Sequence, residues 1–329
     1  LTDPTLPSAE WVRRLPKAEV HLHLEGCVPF EMIDDGSRPA FAGGALSDLL
    51  AYLDWSCGRV TERGQLEEIA YRLVERAAGS GVRHVDVIAN PTHWPHFAGR
   101  IEEMIGALDA GMAAGEAEHD ITGVLCLSVK RDQSAVEALA LADMLAGLDH
   151  RRARALSIDG DEADGKASRN ERFAPAFRRA AEAGLRRCAH AGESSGPQGV
   201  IEAIELLGAE RVDHGVRLVE DPAAMATVVE RAVPLDVCPS SNVLLGLVPD
   251  LEAHPLRRLV EAGVRCSVNT DDPLVYGIDL VGEYLAVAGA FSWRRGELAR
   301  LARVSIESCF AAPERLAALL EELDRYVAA

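Results

Sequence analysis

Two histidines stand two positions apart in Ala18-Glu19-Val20-His21-Leu22-His23-Leu24-Glu25-Gly26. On a β-strand, residues i and i+2 project to the same face, so His21 and His23 present their imidazoles together, roughly 6.5–7 Å apart along the chain. Imidazole is the commonest metal-binding side chain. The pair is therefore half of a metal site, or else two ordinary histidines near a strand end. More candidates end strand-like runs downstream. Cys188-Ala189-His190-Ala191-Gly192-Glu193 offers a third nitrogen, His190, and a carboxyl, Glu193, that can serve as a proton donor. Asp213-His214-Gly215 offers His214 as a base, as a group that orients hydroxide, or as a satisfied core histidine. Val268-Asn269-Thr270-Asp271-Asp272-Pro273 offers two adjacent carboxylates, which repel each other and are costly to bury unless paired or bound to a metal. The donors sum to His21, His23, His190 and Asp271. Three imidazoles and one carboxylate suit a single Zn²⁺ with a position left for water, whose pKa a metal lowers from ~15.7 to about 7.

The elements that must carry these residues follow from hydrophobic patterning. Strands are expected near 18–24, 84–89, 121–129, 153–158, 185–190, 211–214, 234–238 and 264–269. Helical spacing fills the intervals near 62–79, 100–115, 134–147, 171–183, 198–207, 221–231 and 255–262, and three more helices near 279–290, 296–304 and 313–327 close the chain. Alternating strands and helices are the signature of parallel βα units. The expected fold is α/β: a (β/α)₈ TIM barrel with extra C-terminal helices, one domain over 1–329. The segment 35–60 begins as a loop, carries no strand, and is expected to lie over the barrel mouth as a lid. Active sites of such barrels sit at the C-terminal ends of the strands, where all of the candidates fall.

Composition narrows the partners. The chain has 329 residues, 48% hydrophobic, a net charge of −18 and seven cysteines. The cysteines are scattered and never spaced C-x-x-C, which fits reduced thiols and a cytoplasmic setting. With no long basic run, nucleic-acid binding is disfavoured, because phosphate neutralisation supplies most of that affinity. No stretch is long and apolar enough to span a membrane. The start, Leu1-Thr2-Asp3-Pro4-Thr5-Leu6-Pro7, has no basic segment leading into an apolar run of the signal-peptide kind. The expected partners are a small molecule and water, and a homo-oligomer is compatible with the composition.

Rival motifs account for less. Gly192-Glu193-Ser194-Ser195-Gly196 matches the G-x-S-x-G elbow of serine hydrolases, with Ser194 as nucleophile, but leaves His21, His23 and the Asp pair without a role. Gly160-Asp161-Glu162-Ala163-Asp164-Gly165-Lys166-Ala167 nearly matches a P-loop, but has Ala167 where Ser or Thr should meet Mg²⁺. Deaminases of the cytidine type need H-x-E with P-C-x-x-C, which is absent.

Taken in order, Leu15-Pro16-Lys17-Ala18-Glu19-Val20-His21-Leu22-His23-Leu24-Glu25-Gly26, His190-Ala191-Gly192-Glu193, Arg211-Val212-Asp213-His214-Gly215, Cys238-Pro239-Ser240-Ser241-Asn242 and Ser267-Val268-Asn269-Thr270-Asp271-Asp272-Pro273 resemble the adenosine deaminase family of metal-dependent amidohydrolase barrels. The resemblance implies one Zn²⁺ on His21, His23, His190 and Asp271. It implies Glu193 as the acid that protonates N1 of a 6-aminopurine, and His214 as the group that orients and helps deprotonate the water. Asp272 would bond the purine at N7. Ser157-Ile158-Asp159-Gly160-Asp161-Glu162 resembles the family's Gly-Asp-Glu stretch, which would bring the Gly160 backbone to purine N3, where a glycine permits close approach.

Departures from the family bear on substrate. Glu25 follows the histidine pair where adenosine enzymes often carry Asp for a ribose hydroxyl. Val87-Ile88-Ala89-Asn90-Pro91 lacks the usual Arg and Ser, Ser157 replaces a common Asp, and 27–60 is short for the lid helices. The leading expectation is zinc-dependent hydrolytic deamination of adenosine or a 5′-modified adenosine, with Glu25, Gly160 and Asp272 binding the substrate. The alternatives are an aminodeoxyfutalosine-type compound or free adenine. Further alternatives are a two-metal amide, ester or phosphotriester hydrolase of the same superfamily with Lys130 as bridging lysine, and a non-catalytic purine-binding barrel.

Overall fold

Eight parallel strands run in sequential order: β1 Lys17–His23, β2 Val82–Ala89, β3 Thr122–Lys130, β4 Ala153–Asp159, β5 Arg186–Ala191, β6 Arg211–His214, β7 Leu235–Val237 and β8 Cys266–Val268. The computed structural model describes residues 5–33, 36, 41, 43–148, 151–163 and 169–329. The start of the N-terminal stretch, part of the expected lid segment, and Asp164 to Ala167 of the P-loop-like stretch lie outside those residues.

The strands form because runs such as Val85–Ala89 and Val124–Val129 are mainly apolar and buried on both faces, as parallel sheets flanked by helices require. Closure between β8 and β1 uses side chain and loop instead of a regular ladder. Asn269 Oδ1 accepts from the Val20 and His21 N–H groups at 2.9 and 3.3 Å. One step on, Asp271 N–H donates to the His21 carbonyl at 3.2 Å and His23 N–H donates to the Asp271 carbonyl at 2.8 Å. This seam sets Asp271 beside the two histidines although 248 positions separate it from His23.

Caps match the expected helix starts. Ser134 and Glu137 form a reciprocal capping box, while Asp221 and Asp279 each accept from N–H groups of the helix they precede. The next-to-last helix, Arg295–Ser308, packs against β1 and β8, and Ser305 Oγ accepts from Ala18 N–H at 3.0 Å. Among the described residues five α-helices were not anticipated: Ala9–Arg14, Phe30–Ile33, Leu46–Cys57, Pro239–Leu244 and Pro273–Tyr276. Four span six residues or fewer, too short for periodicity to register.

The barrel floor is charged. Arg211, fully buried, pairs with Asp86 and with Asp236 (Nε–Oδ2 2.9 Å), donates to the Val20 carbonyl at 2.9 Å and stacks on Phe310 at 4.0 Å. His84 Nε2 closes the group on Asp86 at 2.8 Å. Buried charge persists only when paired and hydrogen-bonded in this way. All seven cysteines are buried and free. Among the described residues no helix is long and apolar enough to cross a membrane.

Candidate active site

At the C-terminal ends of the strands lies a cavity lined by His23, Glu25, His93, Asp159, Gly160, His190, Glu193, His214, Asp271 and Asp272, with Leu46, Leu49, Leu50, Leu53 and Leu245 on its outer side. His21 lies directly beneath. Every site residue of the leading expectation is brought to this one place.

His21 and His23 share a face of β1, His190 comes from β5, and Asp271 follows β8. His23 Nε2 and His190 Nε2 stand 3.0 Å apart, and Asp271 Oδ1 lies 3.5 Å from His21 Nε2 and 3.4 Å from His23 Nε2. The remote nitrogens are anchored: His21 Nδ1 donates to the Asp236 carbonyl at 2.9 Å, and His190 Nδ1 faces the Ile158 carbonyl at 3.2 Å and Asp213 Oδ2 at 3.3 Å. Ser241 Oγ donates to Asp271 Oδ2 at 2.6 Å. Such bonds fix imidazole orientation and leave the Nε2 lone pairs turned inward. His21 Nε2 is buried with no hydrogen-bond partner. Lone pairs converging on one point, with a carboxylate beside them, are what a divalent cation neutralises, so the residues fit a bound metal. Cys238 also falls within ligand distance of His21, His214 and Asp271.

Two of the residues are held in left-handed backbone, His214 at φ 67° and Asp271 at φ 64°. Non-glycine residues there cost about 1–3 kcal/mol and persist when surrounding structure imposes them. The barrel seam does so for Asp271, and Gly215 N–H bonded to the Ala191 carbonyl at 2.9 Å does so after His214. Gly26 has a steric role: a Cβ there would sit 2.2 Å from Asp272 Oδ1 and 2.3 Å from its Cα. Only glycine allows Asp272 to lie against the turn after β1.

Electrostatics separates the carboxyls. Burial, then the charges of Asp271 and Glu162, push the Glu193 carboxyl well above its usual range. Burial and Asp271 do the same to Asp272. Asp271 runs the other way, held well below the carboxylate range despite burial by His21, His214 and His23. One carboxyl is thus pushed towards its charged form beside the histidines and two are pushed towards protonation opposite it, the pattern that divides ligand from acid. His214 Nε2 lies 3.4 Å from Glu193 Oε1.

Three features escaped the sequence reading. Glu162 caps the loop after β5: its carboxylate accepts from the N–H groups of Gly192, Glu193, Ser194 and Ser195 at 2.9–3.3 Å and from Ser195 Oγ at 2.5 Å. It lies in the Gly-Asp-Glu stretch, but only the tertiary contact reveals what it holds. Asn90 and Trp94 follow β2 and reach Glu25 Oε1, through Asn90 N–H at 2.8 Å and Trp94 Nε1 at 2.7 Å. Their position in a βα loop was the available signal. The helix Leu46–Cys57 supplies the leucine wall; Leu46, Leu49, Leu50 and Leu53 have helical spacing, obscured by the Gly43-Gly44 that precedes them.

The rivals fare poorly. The Ser194 hydroxyl is engaged with Asp161 Oδ1 and Glu162 N–H, both at 3.2 Å, and not with a histidine. Lys130 Nζ pairs with Asp132 at 3.5 Å and is not among the cavity residues.

The barrel and the convergent histidine–carboxylate set define a metal-dependent aminohydrolase of the amidohydrolase type. Residues 41–326 match the family described as adenosine deaminase, and the chain belongs to that family. It is 35% identical to an adenine deaminase of Streptomyces coelicolor over 314 residues, 90% of either chain. An adenine deaminase of Arthrobacter aurescens superposes with a TM-score of 0.89 at 30% identity, over 95% of this chain and 99% of that one. A Burkholderia ambifaria amidohydrolase with bound Zn superposes with a TM-score of 0.86 at 27% identity, over 99% and 96%.

Proposed function

We propose that this protein hydrolyses the 6-amino group of free adenine, giving hypoxanthine and ammonia, with Zn²⁺ as its metal. The observation that carries adenine over adenosine is the leucine wall of the cavity, set beside a partly engaged Glu25. Its Oε1 is taken by Asn90 N–H and Trp94 Nε1, and the outer side of the cavity is leucine. With C6 at the metal-binding residues, N9 faces outward. A ribose there would bring hydroxyls against the leucine wall, and burying unmet hydroxyls is costly. The relatives named adenine deaminase support the same choice, which replaces adenosine, the leading expectation from sequence.

His21, His23, His190 and Asp271 would hold the metal, which when bound supplies Lewis-acid activation of water. The remaining roles belong to the chain's own groups. Glu193, protonated, gives its proton to ring N1 and makes C6 electrophilic. Asp272, also protonated, donates to N7. The Gly160 backbone, at φ 87°, meets N3, and His214 orients the attacking water. The helix Leu46–Cys57 acts as the wall that excludes bulk solvent.

Ammonia release measured by the zinc-loaded protein on adenine, adenosine and 5′-substituted adenosines tests the reading. The expected kcat/KM for adenine exceeds that for adenosine by about 100-fold or more. A preference for any nucleoside would overturn it.

A further inference from the structure

Behind His214, on the side turned away from the cavity, runs a chain of buried hydrogen bonds. Leu256 N–H lies 3.1 Å from His254 Nδ1, His254 Nε2 lies 3.1 Å from Asn242 Oδ1, and Asn242 Nδ2 lies 3.3 Å from His214 Nδ1. Asn242, His254 and His214 are all buried. One end of this chain has no choice of direction, because a backbone N–H only donates. His254 therefore accepts at Nδ1. Burial pushes its pKa down to about 4, so it is neutral and carries its single proton on Nε2. That proton goes to Asn242 Oδ1, which turns the amide NH₂ towards His214 Nδ1. The opposite amide orientation would set two donors against each other away from water, leaving both unsatisfied. His214 thus accepts at Nδ1 and keeps its own proton on Nε2, the nitrogen that faces Glu193 Oε1 at 3.4 Å.

We propose that His254 and Asn242 are positioning residues that hold His214 in its Nε2–H tautomer, so that His214 meets the attacking water as a hydrogen-bond donor and not as its base. The ring's one lone pair is committed to Asn242, and no proton can be taken up on the cavity side. Proton traffic then runs through Glu193 alone. Glu193 gives its proton to N1, and its carboxylate takes one from water as the C6–O bond forms. That proton passes to the amino group as the C6–N bond breaks. The hydroxyl proton of the new C6–OH returns to Glu193 as ammonia leaves and the carbonyl forms. This refines the expectation that His214 also deprotonates the water. The kinetic consequence rests on the deaminase reading above; the tautomer does not.

Two-bond ¹H–¹⁵N correlation NMR on zinc-loaded, ¹⁵N-histidine-labelled full-length protein without substrate reads the tautomer directly, with His214 assigned by its loss in His214→Gln. The wild-type signal is expected to have the Nε2–H pattern. In Asn242→Asp the carboxylate accepts from both histidines, so His214 should switch to the Nδ1–H pattern and kcat should fall about 100-fold or more at nearly unchanged KM. His254→Ala should lose turnover, and His254→Gln, whose amide can accept from Leu256 and donate to Asn242, should recover most of it. An Nδ1–H pattern in the wild type overturns the relay, as does an Asn242→Asp variant that keeps the wild-type pattern. If Asn242→Asp fails to fold, as judged by its melting curve, the wild-type spectrum decides alone.

Discussion

Glu193 and Glu283 show how one residue type acquires different work from its surroundings. Glu193 is buried beside Asp271 and Glu162 and is raised well above the carboxylate range. A glutamine keeps its shape but has no acidic proton, so Glu193→Gln should lower kcat by about 10²–10⁴-fold, with the melting temperature little changed. Retained turnover would remove Glu193 from its role. Glu283 lies outside the cavity lining, and burial pushes it up to about 7. Its folded pKa is above its unfolded one, so its stabilising contribution is complete below about 4.5 and is lost as pH rises through about 7. The loss is on the order of 3 kcal/mol. Glu283→Gln should therefore flatten the fall in melting temperature between pH 5 and 8 and leave the variant the more stable at pH 8. An unchanged slope would mean that other groups set the pH dependence. The reactive residue types were readable in the sequence because each motif keeps its donors together, His21 with His23 and His190 with Glu193. Glu162 was not readable as the anchor of residues 192–195, because a carboxylate reaching a loop 30 positions away leaves no local pattern.

At the scale of elements, the helix Leu46–Cys57 and the loop after β5 decide what reaches the chemistry. Leu50 lines the cavity and is only half-buried, whereas Leu49 is 3% exposed. Leu50→Ala should open the wall, narrowing the adenine-to-adenosine ratio of kcat/KM about 10-fold. Its stability cost should be smaller than that of Leu49→Ala, about 3 kcal/mol. Comparison of the two substrates and the two melting curves checks both statements. Glu162→Ala would strip five acceptor contacts from residues 192–195 and release the Glu193 carboxyl; a drop in kcat of about 100-fold with adenine KM within a few-fold is expected. The strands and long helices were legible because their periodicity runs over enough residues to dominate local noise. The short helices after β7 and β8 were not, since Pro239–Leu244 and Pro273–Tyr276 are set by the backbone geometry of the barrel rim.

For the whole molecule, the candidate metal site joins β1, β5 and the segment after β8, so a bound ion stabilises the closed barrel. A metal held at a thousand-fold excess over its Kd contributes about 4 kcal/mol. Removing it with a chelator should lower the melting temperature by roughly 6 °C, and Zn²⁺ should restore it; equal melting curves would place the ion elsewhere or nowhere. Sequence by itself determined the eight-strand barrel, the family resemblance and the candidate donors, because hydrophobic period and motif spacing are properties of neighbours along the chain. Tertiary structure decided the rest. It engaged Glu25 Oε1 with Asn90 and Trp94 and set a leucine wall beside it, the basis on which a base is proposed as substrate in place of a nucleoside. It set Arg211 between Asp86 and Asp236 beneath the site, and gave His214 a direction through His254. Each of these depends on groups far apart in sequence meeting in a space without water, where a hydrogen bond left unmade is expensive and a single arrangement satisfies all of them.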